Sequence, residues 1–389
     1  MSSFVSSALL VLAALTPLSA HASFEDLGVL PGGDYFLSQA LSVSGDGNVV
    51  VGSGSIVNVG DEFTSIDDQA IRWENGVLTS MKPLVVGHDR SVARGVSADG
   101  SVITGTVYRW GGYPSGGFVW ADGAVSFLGD LSGGSIWSNG HDVSGDGTVI
   151  AGFSVDAVTD RAIAWVSGAM SNLGTGTGWS YAEGVSADGS TIVGYQQIDG
   201  AKRWVNGEGS ILAPPPGDFG TQAHGVSADG RTIVGRSLQS QGNAAVRWVD
   251  GVPELLGTLP GHLQSIANDV SGDGSIVVGF SADPSGSRTA VVWDEAHGMR
   301  SLRAVLLGQS DPVAGWTLRE AHAISDAGTV IVGTGVNPSG YERGFIARID
   351  VPEPALGSTL GCGLLLVIQM ASGRRPLHPP HRDGGARSA

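Results

Sequence analysis

A serine and an aspartate two residues apart, closed by glycine, recur along the chain. They stand at Ser44-Gly45-Asp46-Gly47, Ser97-Ala98-Asp99-Gly100, Ser144-Gly145-Asp146-Gly147, Ser186-Ala187-Asp188-Gly189, Ser227-Ala228-Asp229-Gly230 and Ser271-Gly272-Asp273-Gly274. A seventh copy, Ser325-Asp326-Ala327-Gly328, moves its aspartate one place forward. A hydroxyl beside a carboxylate suggests a nucleophile or a calcium ligand. A calcium loop needs several converging oxygens, however, and each copy offers one carboxylate. The simpler chemistry is local: serine and aspartate bond the backbone of a turn, and glycine takes the positive φ. Three histidines, His141, His224 and His322, each precede a motif serine by three residues. Three imidazoles are a zinc ligand set, but these belong to the third, fifth and seventh copies, which are not adjacent. The other copies carry Leu41, Arg94, Glu183 and Asn268 there, so the position reads as variable, and no metal or cofactor is expected.

A third group is aromatic. Tyr35, Trp137, Trp179, Phe219 and Trp316 stand in the segments that lead into each copy, out of phase with the repeat. An exposed aromatic face can stack on a sugar ring. The alternative is that these side chains cap the ends of the folded units. No Gly-x-Ser-x-Gly elbow, His-Glu-x-x-His helix or Gly-x-x-x-x-Gly-Lys phosphate loop is present. No catalytic residue is assigned and the chain is not expected to be an enzyme. A hydrolase or lyase remains the rival class, because paired carboxylates have no sequence signature.

The elements that must position these residues follow from the repeat. Successive motif serines are 41 to 54 residues apart, near the spacing of propeller blades. Each unit resolves into four strands. The first ends at the serine and the Asp-Gly pair makes a tight hairpin, with both central positions favouring residues that tolerate φ > 0. The second is an apolar run closed by glycine, such as Thr232-Ile233-Val234-Gly235. The third carries Ala-x-x-Trp, as in Ala162 to Trp165 and Ala245 to Trp248, and the tryptophans Trp73, Trp120, Trp165, Trp204, Trp248 and Trp293 are expected to pack between sheets. The fourth ends in Leu-Gly-x-Leu, as in Leu128-Gly129-Asp130-Leu131. Before the first copy stands Asp26-Leu27-Gly28-Val29-Leu30-Pro31-Gly32, a fourth strand with no unit in front of it, and the last copy lacks one. The expected fold is therefore all-β, a seven-bladed β-propeller over residues 23–350 in which the N-terminal strand completes the last blade and leaves no free edge.

Composition agrees. The chain has 62 glycines and a formal net charge of −16. That charge argues against nucleic acid as a partner, since a phosphate backbone wants a basic stripe, and favours a neutral or cationic ligand. The one cysteine, Cys362, lies outside the repeats, so the repeats hold together by a core without disulfides. Residues 1–22 read as a signal peptide: an apolar run from Ala8 to Leu15 too short to span a bilayer, then Ala20-His21-Ala22 as a cleavage site. Residues 351–375 hold Pro352-Glu353-Pro354, a mostly apolar stretch and Arg374-Arg375, the order of a membrane stop. Residues 376–389 read as a disordered tail.

The turn motif looks like that of WD-repeat propellers. The whole unit resembles more closely the extracellular HAF-repeat family of bacteria, through Ile-Ser-x-x-Gly-x-x-Ile-Val-Gly, Ala-x-x-Trp, Leu-Gly-x-Leu-Pro-Gly and the segment Gly315-Trp316-Thr317-Leu318. The segment Val351-Pro352-Glu353-Pro354-Ala355 with Arg374-Arg375 resembles a PEP-CTERM sorting signal. These resemblances imply export in a Gram-negative bacterium that makes an extracellular polysaccharide matrix, and handling by an exosortase-type sorting machinery. They imply no reaction. The expectation is a monomeric propeller at the cell surface or in the matrix with a binding or structural role, its candidate ligand being exopolysaccharide at Tyr35, Trp137, Trp179, Phe219 and Trp316. A purely structural or protein-docking ring is the alternative.

Overall fold

The computed structural model describes residues 23–31, 35–59, 64–81, 90–108, 116–134, 137–174, 176, 178–308, 313 and 315–349. The segments read as signal peptide, Pro352-Glu353-Pro354, Arg374-Arg375 and tail lie outside the described residues.

Seven antiparallel four-stranded sheets form a seven-bladed β-propeller. Blades one to six take residues 35–80, 90–127, 138–172, 180–211, 221–257 and 264–301. Blade seven takes the three strands from 317 to 348 and borrows its outermost strand, Ser23–Asp26, from the N-terminal end. The pairing is antiparallel, with Phe24 opposite Ala347 and Asp26 opposite Phe345. The Leu27 amide continues the ladder by donating to the Gly344 carbonyl at 3.0 Å. The split repeat thus closes the ring as expected, although the closing strand is Ser23–Asp26 and Gly28 to Leu30 of the segment read as that strand lie beyond it. Phe24 stacks on Phe345 (ring centroids 5.7 Å apart) and meets Trp316 edge-on at 5.1 Å, so aromatic packing holds the joint in the one blade that lacks the repeated tryptophan.

Elsewhere the Ala-x-x-Trp tryptophans pack between sheets. Trp204 and Trp248 are fully buried, and their indole N–H groups donate to Leu173 O (3.0 Å) and Ala213 O (2.7 Å) at the end of the preceding blade. The leucine ending a fourth strand joins the core around the next blade's tryptophan, as Leu173 does with Trp204, Leu212 with Trp248 and Leu256 with Trp293. The short helix Leu302–Gly308 follows blade six and buries Leu302 and Leu306. The repeat pattern gives no sign of it.

The motif turns differ from the expected hairpin in one respect. Only the glycine has positive φ: Gly47, for example, sits at φ 74°, and Asp46 is not in that region. The Gly47 amide donates to Ser44 O at 2.8 Å, which makes a turn of type I followed by a left-handed glycine. Both central residues are left-handed instead in the turns between third and fourth strands, such as Asp122-Gly123 and Asp250-Gly251. The local chemistry of the motif holds. In the six regular copies the serine hydroxyl donates to the aspartate two residues on at 2.6 to 2.8 Å. In all seven it accepts from the amide five residues on at 2.9 to 3.1 Å.

Two further features tie the blades together. Backbone bonds run from each motif turn to the next: Asp46 N to Ala98 O, Ala98 N to Gly145 O, Asp146 N to Ala187 O, Ala187 N to Ala228 O, Ala228 N to Gly272 O, Gly272 N to Asp326 O, and Asp326 N back to Gly45 O, at 3.0 to 3.3 Å. They form a closed ring around one mouth of the central channel. Each innermost strand also carries a bulge three residues before the motif serine, at Leu41, Arg94, His141, Glu183, His224, Asn268 and His322. Opposite the bulge lies the glycine that closes the apolar run, pressed against backbone. A Cβ on Gly235 would fall 2.0 Å from Gln222 O, and one on Gly279 2.0 Å from Ile266 O.

This contact generates a prediction. Gly235→Ala must displace backbone, and should lower stability by more than about 3 kcal/mol in thermal or denaturant unfolding. Gly220→Ala, whose Cβ would meet nothing within 4 Å, should change it by less than about 0.5 kcal/mol. Equal effects would show that the close approach is not what selects glycine.

Candidate functional site

In an antiparallel four-strand meander the turns between strands one and two and between three and four share one end. The loops between two and three, and from one blade into the next, share the other. The motif turns therefore ring one face, and the loops carrying the candidate aromatics rise on the opposite face. Tyr35 begins the first strand of blade one, with its side chain outside the described residues. Trp316 is buried (8% exposed) against Phe24, so it braces the closure and presents no surface to a ligand. Trp137 is half-buried, its ring 6.4 Å from that of Phe153.

Trp179 and Phe219 come together. They line one cleft of ≈ 350 Å³ between blades four and five. Trp179 is half-buried, and its ring meets Tyr195 edge-on and Tyr181 at a tilt, both at 5.7 Å. Phe219 is 72% exposed and Ile198, on the other wall, 73%. Ladder bonds hold the aromatic loops in place: Gln197 N donates to Trp179 O at 3.0 Å, and Phe219 N to Leu238 O at 2.8 Å. The remaining wall is polar and planar: Gln197, Gln222, Asn243 and Arg236. Arg236 donates from Nε to Gln222 Oε1 (3.0 Å) and from Nη1 to Asn243 Oδ1 (3.2 Å). Asp199 pairs with the buried Lys202 at 3.1 Å, and Asp218 accepts the Ser237 hydroxyl at 2.6 Å. A flat apolar surface beside fixed amide donors and acceptors suits a ligand that is apolar on its faces and hydroxylated at its rim.

Of these cleft residues, sequence reasoning missed Tyr195, Gln222, Arg236 and Asn243. Gln222 and Arg236 form a cross-strand pair, as do Tyr181 and Tyr195 one blade earlier. Superposing the repeats would have found them. The residue after the closing glycine runs Ser53, Thr106, Phe153, Tyr195, Arg236, Phe280, Thr334, a position with no common chemistry.

The histidines stand on innermost strands and keep separate hydrogen-bond partners. His141 Nδ1 lies 3.0 Å from Glu183 and 3.2 Å from Ala182 O. His224 Nδ1 bonds Ala267 O at 3.0 Å, and His322 Nε2 bonds the Thr334 hydroxyl at 2.7 Å. Burial lowers the pKa of both His224 and His322. Burial pushes the Glu183 carboxyl up, but the electrostatic attraction and hydrogen bond of the adjacent His141, with smaller contributions from His224 and Arg94, outweigh it and hold it below the ordinary value. Among the described residues no group of His, Cys, Asp and Glu is arranged to hold a metal ion.

The motif-turn mouth holds a cavity of ≈ 90 Å³ lined by Asp142, Asp269 and Asp326. Asp142 accepts from Val143 N (2.8 Å) and, across to blade four, Val185 N (2.9 Å). Asp269 likewise accepts from Val270 N and from Ile324 N of blade seven. Burial raises Asp142 to about 6, and burial with repulsion from the other two carboxylates raises Asp269 to about 7. Asp326, displaced from its motif place, is raised by burial.

No family model and no curated protein matches the chain. Solved structures do. Oligogalacturonate lyase from Vibrio parahaemolyticus is 12% identical with a TM-score of 0.54, over 86% of this chain and 98% of that one. The β-propeller domain of the trilobed protease from Pyrococcus furiosus, which has an open velcro topology, is 11% identical with a TM-score of 0.51, over 82% and 100%. Putative TolB from Agrobacterium tumefaciens is 16% identical with a TM-score of 0.44, over 78% and 99%. At such identities the likeness concerns the propeller fold alone.

The carboxylates of the motif-turn mouth give a pH prediction. An aspartate in the unfolded chain titrates near about 3.9. The folded chain holds these protons more tightly, so the stability they contribute is full below about pH 4 and is lost as pH rises through 6 to 7. Asp269→Asn removes the charge but keeps an acceptor for only one amide, because Val270 N and Ile324 N bond different carboxylate oxygens, and it turns an NH2 donor toward the other. The lost bond costs the same at every pH, so the stability of the variant relative to the unaltered chain should be higher at pH 8 than at pH 4 by about 1–3 kcal/mol. A difference independent of pH in paired melting curves would show that the buried charge is not what destabilises this mouth.

Proposed function

We propose that this chain is an exported propeller that binds polysaccharide at the cell surface, in the cleft between blades four and five. One observation carries the reading: Trp179 and the exposed Phe219 line a single cleft together with the amide and guanidinium groups of Gln197, Gln222, Asn243 and Arg236. The sequence supports the same setting through its signal-like start, its PEP-CTERM-like segment and its resemblance to extracellular HAF-repeat proteins. The binding face is narrower than the five loop aromatics suggest: Trp179 and Phe219 form it, Trp137 stands one blade away, and Trp316 serves the closure.

A pull-down of the full chain on the native exopolysaccharide tests the cleft. Trp179→Ala and Phe219→Ala should each weaken retention about ten-fold, the loss of roughly one stacking contact. Trp316→Ala should lower the unfolding temperature and leave the affinity of the folded fraction unchanged. Retention unchanged in both cleft variants would favour the structural or protein-docking alternative, and release of sugar fragments would move the protein to the hydrolase or lyase class.

Cell fractionation with terminal sequencing tests the setting. Loss of residues 1–22 and recovery with the outer surface or matrix are expected. A full-length chain in the cytoplasm would end the export reading.

A further inference from the structure

Resting on the polysaccharide reading of the same cleft, we infer that the unit bound between blades four and five is an acidic sugar, its carboxylate held by Arg236. The arginines of this chain usually meet a carboxylate: Arg72 with Glu74, Arg161 with Asp156, Arg231 with Asp250, Arg247 with Glu254 and Arg288 with Glu320. That is the expected outcome where 37 acidic residues surround 21 basic ones. Arg236 departs from it. Among the described residues its two bonding partners are neutral amides, Gln222 and Asn243.

Those amides orient the guanidinium without neutralising it. The Nε hydrogen and one Nη1 hydrogen are used, which leaves one donor on Nη1 and both on Nη2. Adjacent Nη donors match the two oxygens of a carboxylate in a planar, bidentate pair. The acidic groups of the cleft are engaged elsewhere, Asp199 by Lys202 and Asp218 by Ser237. Trp179 and Phe219 supply the apolar surface for the ring that bears the carboxylate, and Gln197 a polar rim for its hydroxyls. The net charge of −16 opposes a densely charged polyanion but little opposes a single carboxylate. Over about 8 Å at physiological ionic strength the distant charges are screened, while the partly buried guanidinium acts at contact. The ligand class is a polysaccharide that carries uronic acid units.

The test compares three short probes on the full chain, followed by quenching of tryptophan fluorescence: a neutral oligosaccharide carrying one glucuronate unit, the same oligomer with that carboxyl reduced, and its counterpart with one sulfate in place of the carboxylate. The glucuronate-bearing probe should bind about ten-fold more tightly than the reduced probe. Arg236→Gln should erase that preference and leave the affinity for the reduced probe unchanged, and Arg236→Lys should keep part of it. Trp179→Ala should weaken both probes alike. Unfolding curves of each variant check that the fold is intact. Equal binding of acidic and reduced probes by the unaltered chain overturns this inference and leaves the polysaccharide reading standing. So does a preference for sulfate over carboxylate, or an Arg236→Gln variant that loses both probes equally. Binding of no probe overturns both.

Discussion

Seven backbone hydrogen bonds, joined end to end around one mouth of the channel, set the geometry on which everything else is built. They link the second or third residue of each Ser-x-Asp-Gly turn to the next, and the last, from Asp326 N to Gly45 O, joins the two ends of the repeat. The bonds leave little room for a side chain at the second turn position. A Cβ on Gly145 or Gly272 would already stand about 3 Å from the neighbouring turn. This explains why the variable residue of the motif is glycine or alanine in six copies. It also explains why the exception, Asp326, faces a glycine, since a Cβ on Gly45 would fall 2.2 Å from its carboxylate. Serine and aspartate of the motif are spent on holding each turn in shape, and the turns hold the ring.

The bulge works at the next level up. It places an extra residue in each innermost strand, brings the carbonyl two residues before it onto the closing glycine of the second strand, and leaves the bulged residue without a partner in the ladder. Two signatures of the repeat thus have one cause: the invariable glycine and the chemically unrestricted residue three places before the serine. The residue after the bulge meets the neighbouring blade. Gly95, Gly184 and Gly225 allow a close approach there, and Asp142 and Asp269 instead reach across to an amide of the next blade. The cross-braces put two carboxylates in a narrow mouth beside Asp326, where burial above all, with repulsion among the carboxylates added, raises their pKa values.

The fold is legible because a propeller is written in its repeat. The strand order, the borrowed N-terminal strand and the tryptophans between blades all follow from phase, and phase survives in a single sequence. What phase does not carry is which residues meet across the joint. In sequence Trp316 looks like its counterparts Trp179 and Phe219, because all three stand in loops entering a blade. It is buried because Phe24, almost three hundred residues earlier in the chain, supplies its partner. The hairpin type departs from expectation for a related reason. Asp-Gly fits two turn geometries, and only the backbone distinguishes the left-handed pair at Asp122-Gly123 from the single left-handed glycine at Gly47. The helix Leu302–Gly308 lies between repeats, where periodicity gives no guidance.

The candidate site shows how a symmetric scaffold acquires a singular surface. The ring and the bulges demand the same residues from every blade, so they cannot distinguish one inter-blade cleft from another. Distinction is left to positions the scaffold does not restrict: the loops entering each blade, and the pair formed by the residue after the closing glycine and its partner on the innermost strand. Between blades three and four that pair brings aromatic rings together, Tyr181 with Tyr195 and Phe153 close by. Between blades four and five the aromatic surface of Tyr195 and Trp179 meets the polar pair Gln222 and Arg236. An apolar wall beside an oriented cation is what a ring with an ionised substituent requires, and the two walls come from two blades. The spacing of the cleft is therefore set by the hydrogen-bond ring at the far face, so a scaffold made uniform for closure also fixes the separation of the groups that make this cleft unlike its neighbours.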